Sequence, residues 1–135
     1  MSQSILDAVA PHLAPLDRAH RLQAEAARVG FDWPDAVSMI DKLREETTEL
    51  AEACHAGSAA EAADEIGDLL FVMVNLARTL QLDIGRCLED ACTKFERRFR
   101  ALEERLRAQG RRFEGECPET LDALWREVKR AERGA

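Results

Sequence analysis

The stretch Leu69-Leu70-Phe71-Val72-Met73-Val74-Asn75-Leu76-Ala77 is apolar at every position but one. A helix that is apolar all round is buried on all sides. That demand constrains the fold more than any other feature, because other helices must surround this one. Directly before the stretch stand Glu65 and Asp68, three residues apart. In a helix of 3.6 residues per turn such a pair lies about 60° apart on one face. Both carboxylates then sit at the mouth of a buried helix, where an uncompensated charge is costly.

A second acidic cluster precedes the first: Glu45-Glu46-x-x-Glu49, in KLREETTELAEA. Taken alone it reads as a solvated helix face, in a chain with 26 acidic residues. Beside the first cluster it reads differently. Two helices side by side would present Glu46, Glu49, Glu65 and Asp68 as four converging carboxylates. Four such charges repel strongly at close range, so the cluster implies a divalent cation. All-oxygen ligands suit a hard ion, Mg²⁺ or Mn²⁺, better than zinc.

The chain has 135 residues, enough for one domain, and is 46% hydrophobic with no Tyr. Its core must therefore be aliphatic. Ala, Leu, Glu and Arg dominate, which favours helix, and no alternating segment is long enough for a strand. The formal net charge of −7 argues against general nucleic-acid binding. Charge is also unevenly placed. From Asp41 to Asp68 there are nine acidic residues against Lys42 and Arg44. From Lys94 to Arg112 there are eight basic residues against Glu96, Glu103 and Glu104. One segment wants a cation and the other a polyanion, and a metal–polyphosphate complex satisfies both. Cys54, Cys87, Cys92 and Cys117 form no C-x-x-C and read as small core fillers. With no signal-peptide pattern and no apolar run near the ~20 residues of a membrane span, the expectation is a cytoplasmic chain.

Five helices are expected. The first runs from about Leu13 to Val29 and stops at Gly30. Pro34 is placed to open the second, which runs to about Ala56 with an apolar stripe of Ala36, Ile40, Leu43, Thr47, Leu50 and Cys54. On this reading Glu46 and Glu49 flank the stripe. Ser58 caps the third helix, which reaches about Leu80. The fourth carries Leu88, Cys92, Phe95, Phe99, Leu102 and Leu106 and ends near Gly110. Pro118 opens a short final helix with Leu121, Leu124, Trp125 and Val128 on one face. Residues 1–12 read as a tail and 13–132 as a single domain. Covering the third helix takes a second copy of the chain, so a homodimer or higher homo-oligomer is expected around it.

Glu-Glu-x-x-Glu followed by Glu-x-x-Asp resembles the signature of the MazG-type, all-α nucleoside triphosphate pyrophosphohydrolases. The likeness extends through VGFDWPD (29–35), KLREETTEL (42–50), DEIGDLLFVMVNLAR (64–78), KFERRFRALEE (94–104) and LDALWREVKR (121–130), roughly residues 16 to 130. It implies an all-α, four-helix-bundle-like MazG fold with an additional short C-terminal helix. It implies Mg²⁺-dependent hydrolysis of a nucleoside triphosphate to the monophosphate and pyrophosphate, as nucleotide-pool housekeeping, with Mn²⁺ as a substitute metal. By resemblance, Glu46, Glu49, Glu65 and Asp68 are the metal ligands, and Glu45 orients the attacking water. Lys94 and Arg98 match the phosphate-contacting pair, joined by Lys42 one turn before Glu46. Trp125 matches a position where the family places an aromatic near the nucleotide. Two departures stand out. Cys92 replaces a usual Asn, and Ala62-Ala63-Asp64 replaces longer polar side chains before Glu65. Both bear on base preference and neither on the acidic signature.

Two other classes fit less of the sequence. A di-iron carboxylate bundle wants two Glu-x-x-His motifs, and only Glu52-x-x-His55 is present, with Asp17-x-x-His20 the nearest second. A non-catalytic helical interaction protein has no need of four carboxylates at the mouth of a buried helix.

Overall fold

The computed structural model describes residues 3–134. Among them the order is a 3₁₀ turn (Ile5–Ala8), then α1 (Pro15–Arg28), α2 (Ala36–Ala56), α3 (Ala59–Thr79), α4 (Ile84–Ala108) and α5 (Pro118–Arg133). Every described element is helical, as the composition and the missing alternation predict.

The helix ends follow local chemistry. Pro15 and Pro118 occupy first-turn positions of α1 and α5, where a missing N–H costs nothing. Pro34 does not open α2. Asp35 is the N-cap, and its Oδ1 accepts from Ser38 N–H at 2.7 Å. That side-chain acceptor satisfies an orphan amide, which a proline cannot do. Gly57 ends α2 in the left-handed region at φ 71°, where a Cβ would be strained. Ser58 caps α3 as expected, accepting from Glu61 N–H at 3.3 Å.

The chain divides into two compact units, one through Cys87 and one from Leu88 onward, with α4 crossing the boundary. In the first, α2 and α3 form an antiparallel hairpin whose core is Met39, Val72 and Leu76, flanked by Ala36 and Leu43. Helix α1 lies against α3. In the second, Leu102 and Leu106 of α4 pack with Leu124 and Val128 of α5.

Three burial expectations change. The buried line of α2 runs through Met39, Glu46 and Ala53, with Leu43 and Leu50 half-buried beside them, while Ile40, Thr47 and Cys54 are exposed. It is therefore turned relative to the predicted stripe, with which it shares Leu43 and Leu50, and Ala36 still packs against the core. Stepping one residue rotates a helix by about 100°, so small shifts of this kind are invisible to pattern counting. Helix α3 is not buried all round: Val72, Val74, Leu76 and Ala77 are, whereas Ile66, Leu70, Phe71 and Met73 are exposed. All four cysteines are exposed, so none is a core filler.

Candidate functional site

The turned line puts Glu46 inward. The residue is 5% exposed, on the face of α2 that meets α3. The hairpin then brings Glu65 of α3 opposite it. Carboxylate oxygens of Glu46, Glu49 and Glu65 all lie within 4.8 Å of one another. Asp68 is exposed and stands outside that group of three. Lys42, one turn before Glu46, places Nζ 2.9 Å from Glu46 Oε1 and 3.5 Å from Glu45 Oε2. Glu45 is exposed.

One cation does not neutralise three carboxylates. The hydrogen bond from Lys42 holds Glu46 below the usual carboxylate range. Glu65 goes the other way, pushed up to about 7, chiefly by hydrogen bonding to Glu46, then by burial and by the charge of Glu49. Glu46 thus keeps its charge while Glu65 competes for a proton. As carboxylates, Glu46 Oε2 and Glu65 Oε2 are buried and have no hydrogen-bond donor. Buried oxygens in this state need either a proton or a cation. The donor set is all oxygen and of one sign, so it fits a hard divalent ion.

Apart from Lys42, the basic and aromatic candidates belong to the second unit. Arg98 donates from Nε to Glu132 Oε2 at 2.7 Å, and Arg97 donates from Nε to Oε1 of the same carboxylate at 2.8 Å. Lys94 is exposed. Trp125 packs beside Phe95, ring centroids 5.5 Å apart, and against the Leu102–Leu106–Leu124–Val128 cluster. The histidines of the di-iron alternative stay outside the acidic group. His55 is exposed with Nδ1 2.7 Å from Ala51 O, and His20 is exposed on α1.

One polar feature lies outside the sequence motifs and another ties two of them together. Glu132 belongs to none of them; only its spacing from the second turn of the final helix hints at an inward side chain. The other is a polar chain across the 29–35 turn. Arg78 Nη2 donates to Asp32 Oδ1 and to Asn75 Oδ1, each at 2.6 Å, and Trp33 N–H donates to Asp32 Oδ1 at 2.8 Å. Asp32 and Arg78 are 46 residues apart, and sequence periodicity carries no signal over that distance.

Residues 35–102 match the MazG nucleotide pyrophosphohydrolase domain. The chain belongs to the MazG family. It is 42% identical over 131 residues to the nucleoside triphosphate pyrophosphohydrolase of Escherichia coli strain K12, covering 96% of this chain and 50% of that protein. It is 40% identical over 119 residues to the nucleoside triphosphate pyrophosphohydrolase/pyrophosphatase MazG of Thermotoga maritima, covering 88% of this chain and 46% of that one. A shorter match, 38% over 69 residues, is to the uncharacterized protein YabN of Bacillus subtilis. The chain spans about half the length of the first two relatives. The acidic group, Glu46 to Glu65, falls inside the MazG match.

Proposed function

We propose that this chain hydrolyses nucleoside triphosphates to the monophosphate and pyrophosphate with Mg²⁺, acting on cytoplasmic nucleotide pools. The observation that carries the reading is the convergence of Glu46, Glu49 and Glu65 from two helices, with two buried oxygens lacking any donor. The names of the E. coli and T. maritima relatives support it.

Glu46, Glu49 and Glu65 would hold the ion, and Asp68, one turn beyond Glu65, would add a ligand from the exposed side. The ion, when bound, supplies charge neutralisation of phosphate oxygens and a bound water of lowered pKa. Lys42 keeps Glu46 ionised, so this ligand is ready at neutral pH. Glu45, exposed beside Lys42, orients the water for attack on the α-phosphorus. The new bond is from water oxygen to that phosphorus. The bond from the α-phosphorus to its bridging oxygen breaks, and pyrophosphate leaves. By the family resemblance Lys94 and Arg98 contact the phosphates, which would stabilise charge on the leaving group. Glu132 occupies Nε of Arg98, leaving its terminal nitrogens for that task.

We include a homodimer in this reading. Ile66 and Met73 on α3 and Leu80 at its C-cap recur every seven residues and are exposed, an apolar stripe of the kind that pairs subunits.

The test is pyrophosphate release from the four common ribonucleoside and deoxyribonucleoside triphosphates across an Mg²⁺ titration. Stoichiometric monophosphate and pyrophosphate, dependent on Mg²⁺, are expected. Release of orthophosphate alone, or none from any nucleotide, would overturn the reading.

A further inference from the structure

The two helices of the second unit carry matching rows. On α4, Arg98, Leu102 and Leu106 stand at steps of four, and on α5 so do Leu124, Val128 and Glu132. Residues at that step share a helix face. The four apolar members form one buried cluster. Two ion pairs give the direction. Arg105 Nη1 donates to Glu127 at 3.2 Å and Arg98 Nε to Glu132 at 2.7 Å, so the helices run antiparallel. Each apolar row thus ends, at the same end of the core, in a charged residue: Arg98 on one helix and Glu132 on the other. Leu102 and Val128, one turn inward from them, are 3% and 2% exposed. The backbones that carry the pair are therefore held by close packing.

The contact itself orients an arginine. Glu132 accepts from Arg98 Nε through Oε2 and from Arg97 Nε through Oε1, the latter at 2.8 Å. Both oxygens are used, and each takes the inner nitrogen of a different guanidinium. A carboxylate that served to neutralise Arg98 alone would set its two oxygens against two nitrogens of that one fork. Among the described residues no acceptor is bonded to Nη1 or Nη2 of Arg98. Yet its side chain is 19% exposed, against 60% for Arg97. Arg98 is held by its inner nitrogen while its terminal donors stay open. Two positive charges meet one negative charge here, so a net positive charge remains for an anion. A guanidinium fixed before its ligand arrives also loses less rotamer freedom on binding.

We infer that Glu132 is a positioning residue for the reaction, fixing Arg98 so that its terminal nitrogens meet the phosphates that leave as pyrophosphate. The inference rests on the proposed triphosphate hydrolysis, in which Arg98 contacts those phosphates. Glu132 touches no substrate and acts through Arg98. Two roles for this carboxylate predict opposite signs. As a bare negative charge it would repel a phosphate, and its removal would tighten binding. As the bracket of Arg98, its removal loosens binding.

The test uses the full chain with inorganic pyrophosphate and Mg²⁺ as the probe, titrated by calorimetry at a temperature where every variant is folded by circular dichroism. Glu132→Met keeps the length of the side chain and removes both acceptors. It should weaken pyrophosphate binding by about three- to tenfold and lower kcat/KM for nucleoside triphosphates in the same direction. Glu132→Gln keeps one acceptor and should fall between Glu132→Met and wild type. With Arg98→Met already present, Glu132→Met should have no further effect. Val128→Ala loosens the same helix pair without touching the clamp and should bind pyrophosphate as wild type does. Tighter or unchanged binding in Glu132→Met overturns the inference, as does no binding to wild type. So does a loss of the same size in Val128→Ala, or in Glu132→Met on top of Arg98→Met. Any of these in a protein that still releases pyrophosphate from nucleotides leaves the hydrolase reading intact. The expected binding pattern in a protein that hydrolyses no nucleotide keeps the bracket and sinks the hydrolase.

Discussion

Glu46 shows how much one residue's position decides. It stands at a place in α2 where an aliphatic side chain would complete the core, and it is charged because Lys42 reaches it from one turn away. Packing and ligand capacity are joined in that side chain. Glu46→Gln or Glu65→Gln should lower pyrophosphate release on the order of 100-fold or more, with helical circular dichroism unchanged. Wild-type turnover in either variant at limiting Mg²⁺ would refute the ligand assignment. Glu132 offers a test of electrostatics away from this site. Hydrogen bonds from Arg97 and Arg98 hold its pKa down to about 2, against an ordinary value of 4.5. A depressed acid stabilises the fold above its unfolded pKa, and that contribution is lost as pH falls through the folded one. Glu132→Gln should therefore be less stable than wild type at pH 5 and above. The two should converge between pH 4.5 and pH 2. Acid titration of unfolding, with a constant difference across that window, would show that the clamp contributes nothing.

At the scale of elements, the α2–α3 hairpin is the device that assembles the acidic group. Gly57 and Ser58 form its whole connection, one ending α2 and the other capping α3. With so short a link, the antiparallel register is set by the side chains between the helices. Met39 is fully buried in that seam, against Val72 and Leu76. Met39→Ala should cost about 2–5 kcal/mol in urea unfolding, the range for deleting a large buried side chain. A loss under about 1 kcal/mol would mean the seam collapses around the gap, as loosely packed sites do. The hairpin is legible in the amino-acid sequence, from Gly57, Ser58 and the helical runs on either side. Its facing is less so. The stripe Ala36–Ile40–Leu43–Thr47–Leu50–Cys54 and the observed line through Met39, Glu46 and Ala53 differ by a rotation. An amphipathic count ranks apolar residues and so passes over a buried glutamate.

For the whole molecule, charge and exposed surface each lead to a measurement. Ion binding to the native state alone raises stability by mass action, and Mg²⁺ would also relieve repulsion among Glu46, Glu49 and Glu65. The melting temperature should be higher with Mg²⁺ than with chelator at matched ionic strength. Identical midpoints at saturating Mg²⁺ would count against a preformed site. The second measurement concerns assembly. Val72 and Val74 are buried within the protomer, so the exposed stripe of Ile66, Met73 and Leu80 is the surface to challenge. Wild type should sediment as a dimer or larger, and Met73→Glu should shift it to monomer with helicity retained. A wild-type monomer at micromolar concentration would end the dimer proposal.

What the amino-acid sequence determined by itself was local: the helices, the cap at Ser58, the opening of the last helix at Pro118, and two carboxylate pairs at one-turn spacing. These depend on neighbours within a few residues, and the chemistry of those neighbours is written in order along the chain. Membership of the MazG family was legible for the same reason, through motifs that each sit on one helix. Only the tertiary structure decided which carboxylates meet. It brought Glu46, Glu49 and Glu65 together and left Asp68 on the outer face. It also left Gln23 Oε1 without a donor and tied Asp32 to Arg78. Those outcomes depend on how far each helix is rotated against its neighbour, and that rotation is set by close packing of side chains distant in sequence.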